Sequence, residues 1–363
     1  MTSGRFIASK LRFKGTLAVC ATAVSFLVII VSLAISSGFR KEIHNSLSEA
    51  HGDILLMSRI LPGALDSISG IREIRPAVYS AGIVKSGLHV RGVRFRGTER
   101  SDSTSLMVDI PLGFASGMNL SPGDRMLAYF VSDKVRARNF TVRNIIDDIP
   151  GSDGTVTINA NLEDLQRLEG LGKDEFSAVE IVLDGPEWDR DRQKAKAAEI
   201  TYRCGRQASS LSERYPQLYD WLDLIDVNVT AILILMTIVA GFNMISGLLI
   251  YLFRHTSTIG ILKSLGMDNR GISRVFLRIS SRVVLEGMAA GNALALLFCL
   301  VQDKTHILKL DAANYFLSFV PVNLSPLAII VTDASAYLAI MLMLLLPTLF
   351  ISKVDPARTI RNL

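Results

Sequence analysis

The 363-residue sequence predicts an α+β membrane protein, with four transmembrane helices and a large mixed α/β domain between the first and the second. Three observations lead there. The chain is 49% hydrophobic with a mean hydropathy of +0.35 yet 20% charged, which suits a membrane protein carrying one sizeable water-soluble part. Stretches 15–39, 227–253, 283–301 and 327–351 each approach or exceed the about 20 helical residues that cross a hydrocarbon core of about 30 Å. Basic residues gather in three segments that alternate with these stretches in a consistent way.

The first stretch runs without a charge from Gly15 to Phe39, behind Arg5, Lys10, Arg12 and Lys14. A cleaved signal peptide is the alternative reading. The apolar run is too long for one and no A-x-A site closes it, so a retained anchor is expected. The "LAVC" ending at Cys20 has the wrong position and a valine before the cysteine for a lipoprotein cleavage box.

Charge predicts the orientation. Segments 1–15, 253–282 and 352–363 carry net +4, +5 and +2, and since the whole chain is +5 the remainder is −6. Basic short segments stay in the cytoplasm, so both termini and the 254–282 loop are expected inside and residues 40–226 outside. The expected domains are thus 1–39 (cytoplasmic N-terminus and first helix), 40–226 (outside) and 227–363 (three further spans and the loop).

The outside domain is long enough to bury its own core. "LHVRGVRFRG" reads as a sheet edge or hairpin, and "DRMLAYFV" and "AVEIVLDG" read as strands. Asn161 is placed to cap an amphipathic helix bearing Leu162, Leu165 and Leu168. A last helix is expected over about 208–226, kinked at Pro216, with Tyr219 and Trp221 at headgroup level. Cys204 is the single cysteine of the polar region, so no disulfide framework arises there. His44, His51 and His89 lack metal-ligand spacing and are read as exposed or structural. "EGLGKDEF" lacks the upstream glycine and the Ser/Thr of a phosphate loop. No cofactor or nucleotide site is expected, so any ATP-driven work needs another chain.

Two acids lie within spans. Glu286, four residues past Arg282, is expected to pair with it along one helix face. Asp333 lies deeper, where packing or a water-lined role is expected, with a proton relay as a remoter reading.

The loop "RHTSTIGILKSLGMDNRGISRVF" carries the functional argument. Thr256 or Ser257 is expected to cap a two-turn helix whose apolar residues are Ile259, Ile261, Leu262 and Leu265, closed by Gly266 in a left-handed conformation. Two turns cannot hold themselves in water, so those residues need a partner. Asp268 then starts a second helix with Arg270, Arg274, Arg278 and Arg282 every four residues, a basic stripe expected along the inner membrane surface before a turn into the third span.

"STIGILKSLGM" resembles the coupling loop of the mechanotransmission class of ABC transporter permeases, the MacB/FtsX family. "VAGFNMISGLLI", "VDPARTIR", "LEDLQRLEGL" and "AVEIVLDG" look most like its lipoprotein-releasing (LolC/LolE-like) branch. The resemblance implies a non-catalytic permease of the bacterial inner membrane with a MacB-like periplasmic domain. It implies a cytosolic ABC ATPase as partner and a second permease chain, identical or related. Lipoprotein cargo handed to a periplasmic carrier is implied as well, and nucleic acid is not. By position, Ile259, Gly260, Ile261, Leu262, Lys263, Leu265 and Gly266 would form the ATPase contact, with Thr258 where many relatives have glutamate. "LDAANYFLSFVPV" would be a short outside loop. Export, regulation of a cell-wall hydrolase, and a membrane-anchored sensor without ATPase are the other readings. A catalytic outside domain is the least supported, for want of paired acids or a nucleophile–base set.

Overall fold

A computed structural model of the chain describes residues 16–87, 89–99, 105–131, 135–146, 155–185, 189–310, 317 and 319–348. The basic termini, the last residues of the fourth stretch and most of 311–318 lie outside the described residues. The chain divides into two compact units, one of residues 1–38, 224–307 and 321–363, the other of 39–223 and 308–320.

The first unit is helical. Four helices are long and apolar enough to cross a membrane among the described residues: α1 (Thr16–His51), α6 (Pro216–Arg254), α8 (Asn269–Thr305) and the last, α9 (Pro326–Met343) with the short α10 (Leu345–Thr348) after it. Small residues set how closely two of them approach. Gly287 and Gly291 of α8 lie against Thr22, Ala23 and Phe26 of α1, and a Cβ at Gly291 would stand 2.8 Å from the Phe26 Cβ. Backbones come this near only where side chains are absent, the usual way helices gain contact in lipid.

Phe26, Met244, Leu248, Tyr251, Phe276, Val283, Ile340 and Leu344 form the core of this unit, drawn from all four long helices and their continuation. The 37 residues of α8 span about 55 Å at about 1.5 Å each, far beyond a core of about 30 Å. The helix is continuous, so the expected turn between the basic stripe and the third span does not occur. No proline interrupts residues 269–305, and Arg282 Nε donates to Glu286 Oε1 at 2.9 Å across the expected junction.

The second unit is built on one nine-stranded sheet. Strands β1 (Ile54–Leu56), β2 (Ile71–Ser86), β3 (His89–Thr98), β4 (Met107–Pro111), β5 (Arg125–Val131), β6 (Val135–Ile146), β7 (Val156–Asn161), β8 (Ala178–Leu183) and β9 (Ala208–Ser210) run in the order β3-β7-β4-β6-β5-β2-β8-β1-β9. Since β2 also pairs with β3, six of them close into a ring. Closure removes the exposed edges of those strands. The sequence suggested a sheet edge or hairpin at "LHVRGVRFRG". It is a hairpin strand, enclosed on its other side by parallel pairing with β7.

Alternation of side chains sorts the ring. Val78, Val84, Val93, Phe95, Phe130, Phe140 and Ile158 pack inside, capped by α2 (Leu112–Met118) and α3 (Leu162–Glu169). Asn161 caps α3 by accepting from the Glu163 N–H, as expected from the sequence. A second core joins Ile54, Leu56, Val179 and Ile181 to Ala197 and Ile200 of α4 (Arg190–Cys204).

The segment before α6 departs from expectation. Residues 208–210 pair with β1 as a strand, Leu211–Arg214 form the short α5 with a Ser210–Glu213 capping box, and Pro216 begins α6 rather than kinking it. Proline at a helix start loses no hydrogen bond that the helix would make. Tyr219 is fully buried within the second unit and not at a headgroup surface.

Candidate coupling site

The loop helix α7 (Thr256–Ser264) forms where expected, but His255 precedes it without a side-chain cap, and neither Thr256 nor Ser257 takes that role. Its C-terminus is fully determined. Gly266, at φ 86°, lets its N–H reach Lys263 O and lets the Met267 N–H reach Leu262 O, both at 3.0 Å. These two bonds are the Schellman pattern, with Leu262 and Met267 both packed on the adjoining core. Asp268 Oδ1 then accepts from the Gly271 N–H at 2.9 Å and starts α8.

The predicted contact residues do not share one face. Ile259 is 1% exposed and packs with Ile272, Val275 and Phe276 of α8, and Gly260 is buried beside it. Leu262 and Lys263 are half-buried, while Ile261 and Leu265 are 49% and 78% exposed and Gly266 is open. Part of the stabilisation that two turns need therefore comes from this chain, and only Ile261, Leu265 and their surroundings are left for a partner. Arg270, Arg274, Arg278 and Arg282 are all exposed, opposite the buried Ile272, Val275, Phe276 and Ile279.

The intramembrane acids do not come together. Glu286 pairs with Arg282 as expected, both exposed. Asp333 accepts from Asn292 Nδ2 at 2.6 Å, a helix-to-helix polar bond between α9 and α8 that the sequence did not single out. No group of three or more His, Cys, Asp or Glu that could hold a metal occurs among the described residues.

Two polar clusters in the second unit escaped the sequence. In one, His44 of α1 has Nδ1 3.0 Å from Tyr219 Oη of α6 and Nε2 3.2 Å from Asp53 Oδ1. Gln193 of α4 donates to Tyr219 Oη at 3.2 Å, and Arg40 and Arg190 both bind Asp223. Burial opposes the Asp53 charge, but His44 and the Leu183 N–H more than offset it and hold the carboxyl below its ordinary value. This knot fastens the end of α1 and the beginning of α6 to the sheet domain.

In the other cluster, Arg96 Nε and Nη2 donate to the fully buried Glu180 at 2.7 and 2.5 Å, and the Tyr79 hydroxyl donates to Glu180 Oε1 at 2.6 Å. Burial disfavours the Arg96 charge, and Glu180 outweighs it, so the guanidinium is held more firmly ionised than usual. Burial and then Glu180 push the Tyr79 phenol up, keeping it a donor. Arg96 of β3 reaches Glu180 of β8 across the intervening strand β2, and His44 meets Tyr219 from another helix; such partners lie far apart in the chain, which is why neither cluster was legible.

Residues 230–356 match the model of the FtsX-like permease C-terminal family. The chain carries an FtsX-like permease domain in its C-terminal part. It is 21% identical over 385 residues to the lipoprotein-releasing system transmembrane protein LolE of Haemophilus influenzae, covering 94% of this chain and 92% of that one. It is 20% identical over 394 residues to LolC of Neisseria meningitidis serogroup B, with the same coverage. Among solved structures it resembles the periplasmic region of MacB from Actinobacillus actinomycetemcomitans (11% identity, TM-score 0.30, 48% of this chain and 95% of that one). The extracellular domain of the ABC-type transporter YknZ from Gram-positive bacteria is similar at 10% identity and a TM-score of 0.28, over 44% and 98%. With four helices long and apolar enough to cross a membrane among the described residues, these similarities support a multi-pass inner-membrane permease of the ABC-transporter class, with weak likeness to LolC and LolE.

Proposed function

We propose that the permease converts ATP hydrolysis by a separate cytosolic ABC ATPase into movement of a periplasmic domain, and so releases lipoproteins from the inner membrane to a carrier. The observation that carries this reading is the similarity to LolE and LolC over 94% of the chain. Two copies, identical or related, act together, each gripping one ATPase subunit. Both termini and residues 254–282 are cytoplasmic and 40–226 periplasmic, on the strength of the charge asymmetry.

The ATPase seats on Ile261 and Leu265, with Lys263 and Gly266 beside them, and Ile259 and Gly260 transmit the push by packing on α8. The arginine stripe holds α8 against anionic lipid headgroups. The about 58 Å length of α6, 39 residues without a break, carries displacement outward as a stiff rod. The His44–Tyr219–Asp53 knot keeps the outer ends of α1 and α6 from slipping against the sheet domain. Extraction of acyl chains costs about 0.8 kcal/mol per CH₂, tens of kcal/mol for several chains, so ATP is needed.

The test reconstitutes the permease with its ATPase in vesicles carrying radiolabelled lipoprotein and adds ATP. Labelled protein should appear in the soluble fraction bound to carrier. Full ATP turnover with no release of any acylated protein would end the lipoprotein assignment and leave export or hydrolase regulation.

A further inference from the structure

Helices α8 and α9 meet through a polar pair set in an apolar layer. Asn292 of α8 donates through Nδ2 to Asp333 Oδ2 of α9 at 2.6 Å. The second oxygen of each group, Asn292 Oδ1 and Asp333 Oδ1, is shut off from the surface and has no hydrogen-bond partner among the described residues. One turn away on each helix, Ala295 and Ile329 join an apolar cluster with Ile29 and Ile30 of α1 and Leu233 and Met236 of α6.

No cation faces the carboxyl from any of the spans. Stretches 16–39, 227–253, 283–303 and 326–348 contain no lysine, arginine or histidine. The other acid of the spans, Glu286, stands about 9 Å further along α8 and is paired with Arg282. Cys299 of α8 and Tyr337 of α9, the titratable groups nearest along these helices, supply no positive charge, and the Tyr337 hydroxyl is bonded to Ser281 at 2.7 Å.

A carboxylate here would be a charge without a counter-ion, and two buried acceptor oxygens would have nothing to accept, both costly at membrane depth. A metal cation asks for more oxygens than these two, and the neighbouring cluster is apolar. A proton needs no further ligand.

We propose that Asp333 is a proton-binding site whose proton completes a cyclic acid–amide clasp between α8 and α9. Asp333 Oδ1–H donates to Asn292 Oδ1 while Asn292 Nδ2–H donates to Asp333 Oδ2, so the charge is removed and both orphan oxygens are satisfied. The ring has no onward partner among the described residues, which makes it a clasp rather than a relay. Of its own residues α9 buries only Ala336 and Ile340, so this clasp and the Ser281–Tyr337 hydroxyl pair hold it to α8 where packing is thin. The inference is independent of what cargo the permease moves.

The test compares infrared spectra of the full-length permease in lipid vesicles with those of Asp333→Asn, and the thermal unfolding of both with that of Asp333→Leu. The wild-type-minus-Asn difference should show the carbonyl band of a protonated carboxyl, above the amide band and shifted down in heavy water. Asp333→Asn keeps a neutral ring, amide to amide, and should unfold at the wild-type midpoint, whereas Asp333→Leu should unfold lower. Exchanging sodium for potassium should leave the wild-type midpoint unchanged. A carboxylate band in place of the protonated one, a midpoint for Asp333→Asn as low as for Asp333→Leu, or a midpoint set by the choice of cation would overturn the proposal.

Discussion

Replacing Glu180 with leucine isolates the largest electrostatic commitment of the second unit. The carboxylate is fully buried on β8, which is paired on both sides by β2 and β1, and accepts three hydrogen bonds, two of them from Arg96, which is 6% exposed. After the change, Arg96 keeps only neutral partners, Asn159 Oδ1 at 3.3 Å from Nη1 and the Tyr79 hydroxyl, and no countercharge within the pair. Stranding a buried charge in this way costs about 3–5 kcal/mol, whereas removing both members of a buried pair for apolar residues of similar size is often near neutral. The second unit should therefore lose about 3–5 kcal/mol in Glu180→Leu, about a fifth or more of a typical domain's stability of about 5–15 kcal/mol. The double variant Arg96→Met with Glu180→Leu should recover most of it. Pulse proteolysis of the full-length protein across a urea series, reading the fragment of the second unit, measures both. If the single variant is as stable as the double one, Arg96 finds another partner or leaves the interior, and the reasoning fails.

Leu265→Asp should abolish co-purification of the ATPase without lowering the permease's own melting temperature, because Leu265 is 78% exposed; Ile259→Asp should lower both, because Ile259 is core. Gly291→Val should force α1 and α8 apart, costing about 1–3 kcal/mol of helix packing, measurable as a lower unfolding midpoint in detergent. Tyr219→Phe removes the hydroxyl that His44 and Gln193 share and should cost about 1–3 kcal/mol, and it should lower lipoprotein release per ATP hydrolysed. Asp53 has a folded pKa below its ordinary value, so its stabilising contribution is complete above the unfolded value near 3.8 and is lost as pH falls through the folded one. The melting temperature of the second unit should drop with acid in that window, and Asp53→Asn should flatten the slope while lowering the plateau.

Much of this protein is written locally. Long uncharged runs announce the spans because lipid offers the backbone no alternative to a helix. Gly266 and Asp268 announce one helix end and the next helix start because each satisfies backbone groups within three residues of itself. Asn161 does the same for α3. What depended on partners far along the chain was not written there. Pairing of β3 with both β2 and β7 closed the ring, Glu180 met Arg96 across 84 residues, and His44 met Tyr219 across 175. Tertiary structure also decided how α7 shares itself, burying Ile259 on α8 and leaving Leu265 in solvent, although both are equally apolar by composition. Hydrogen bonds and hydropathy act over a few residues and can be read in order; packing compares surfaces distant in the chain, and only the folded molecule brings them together.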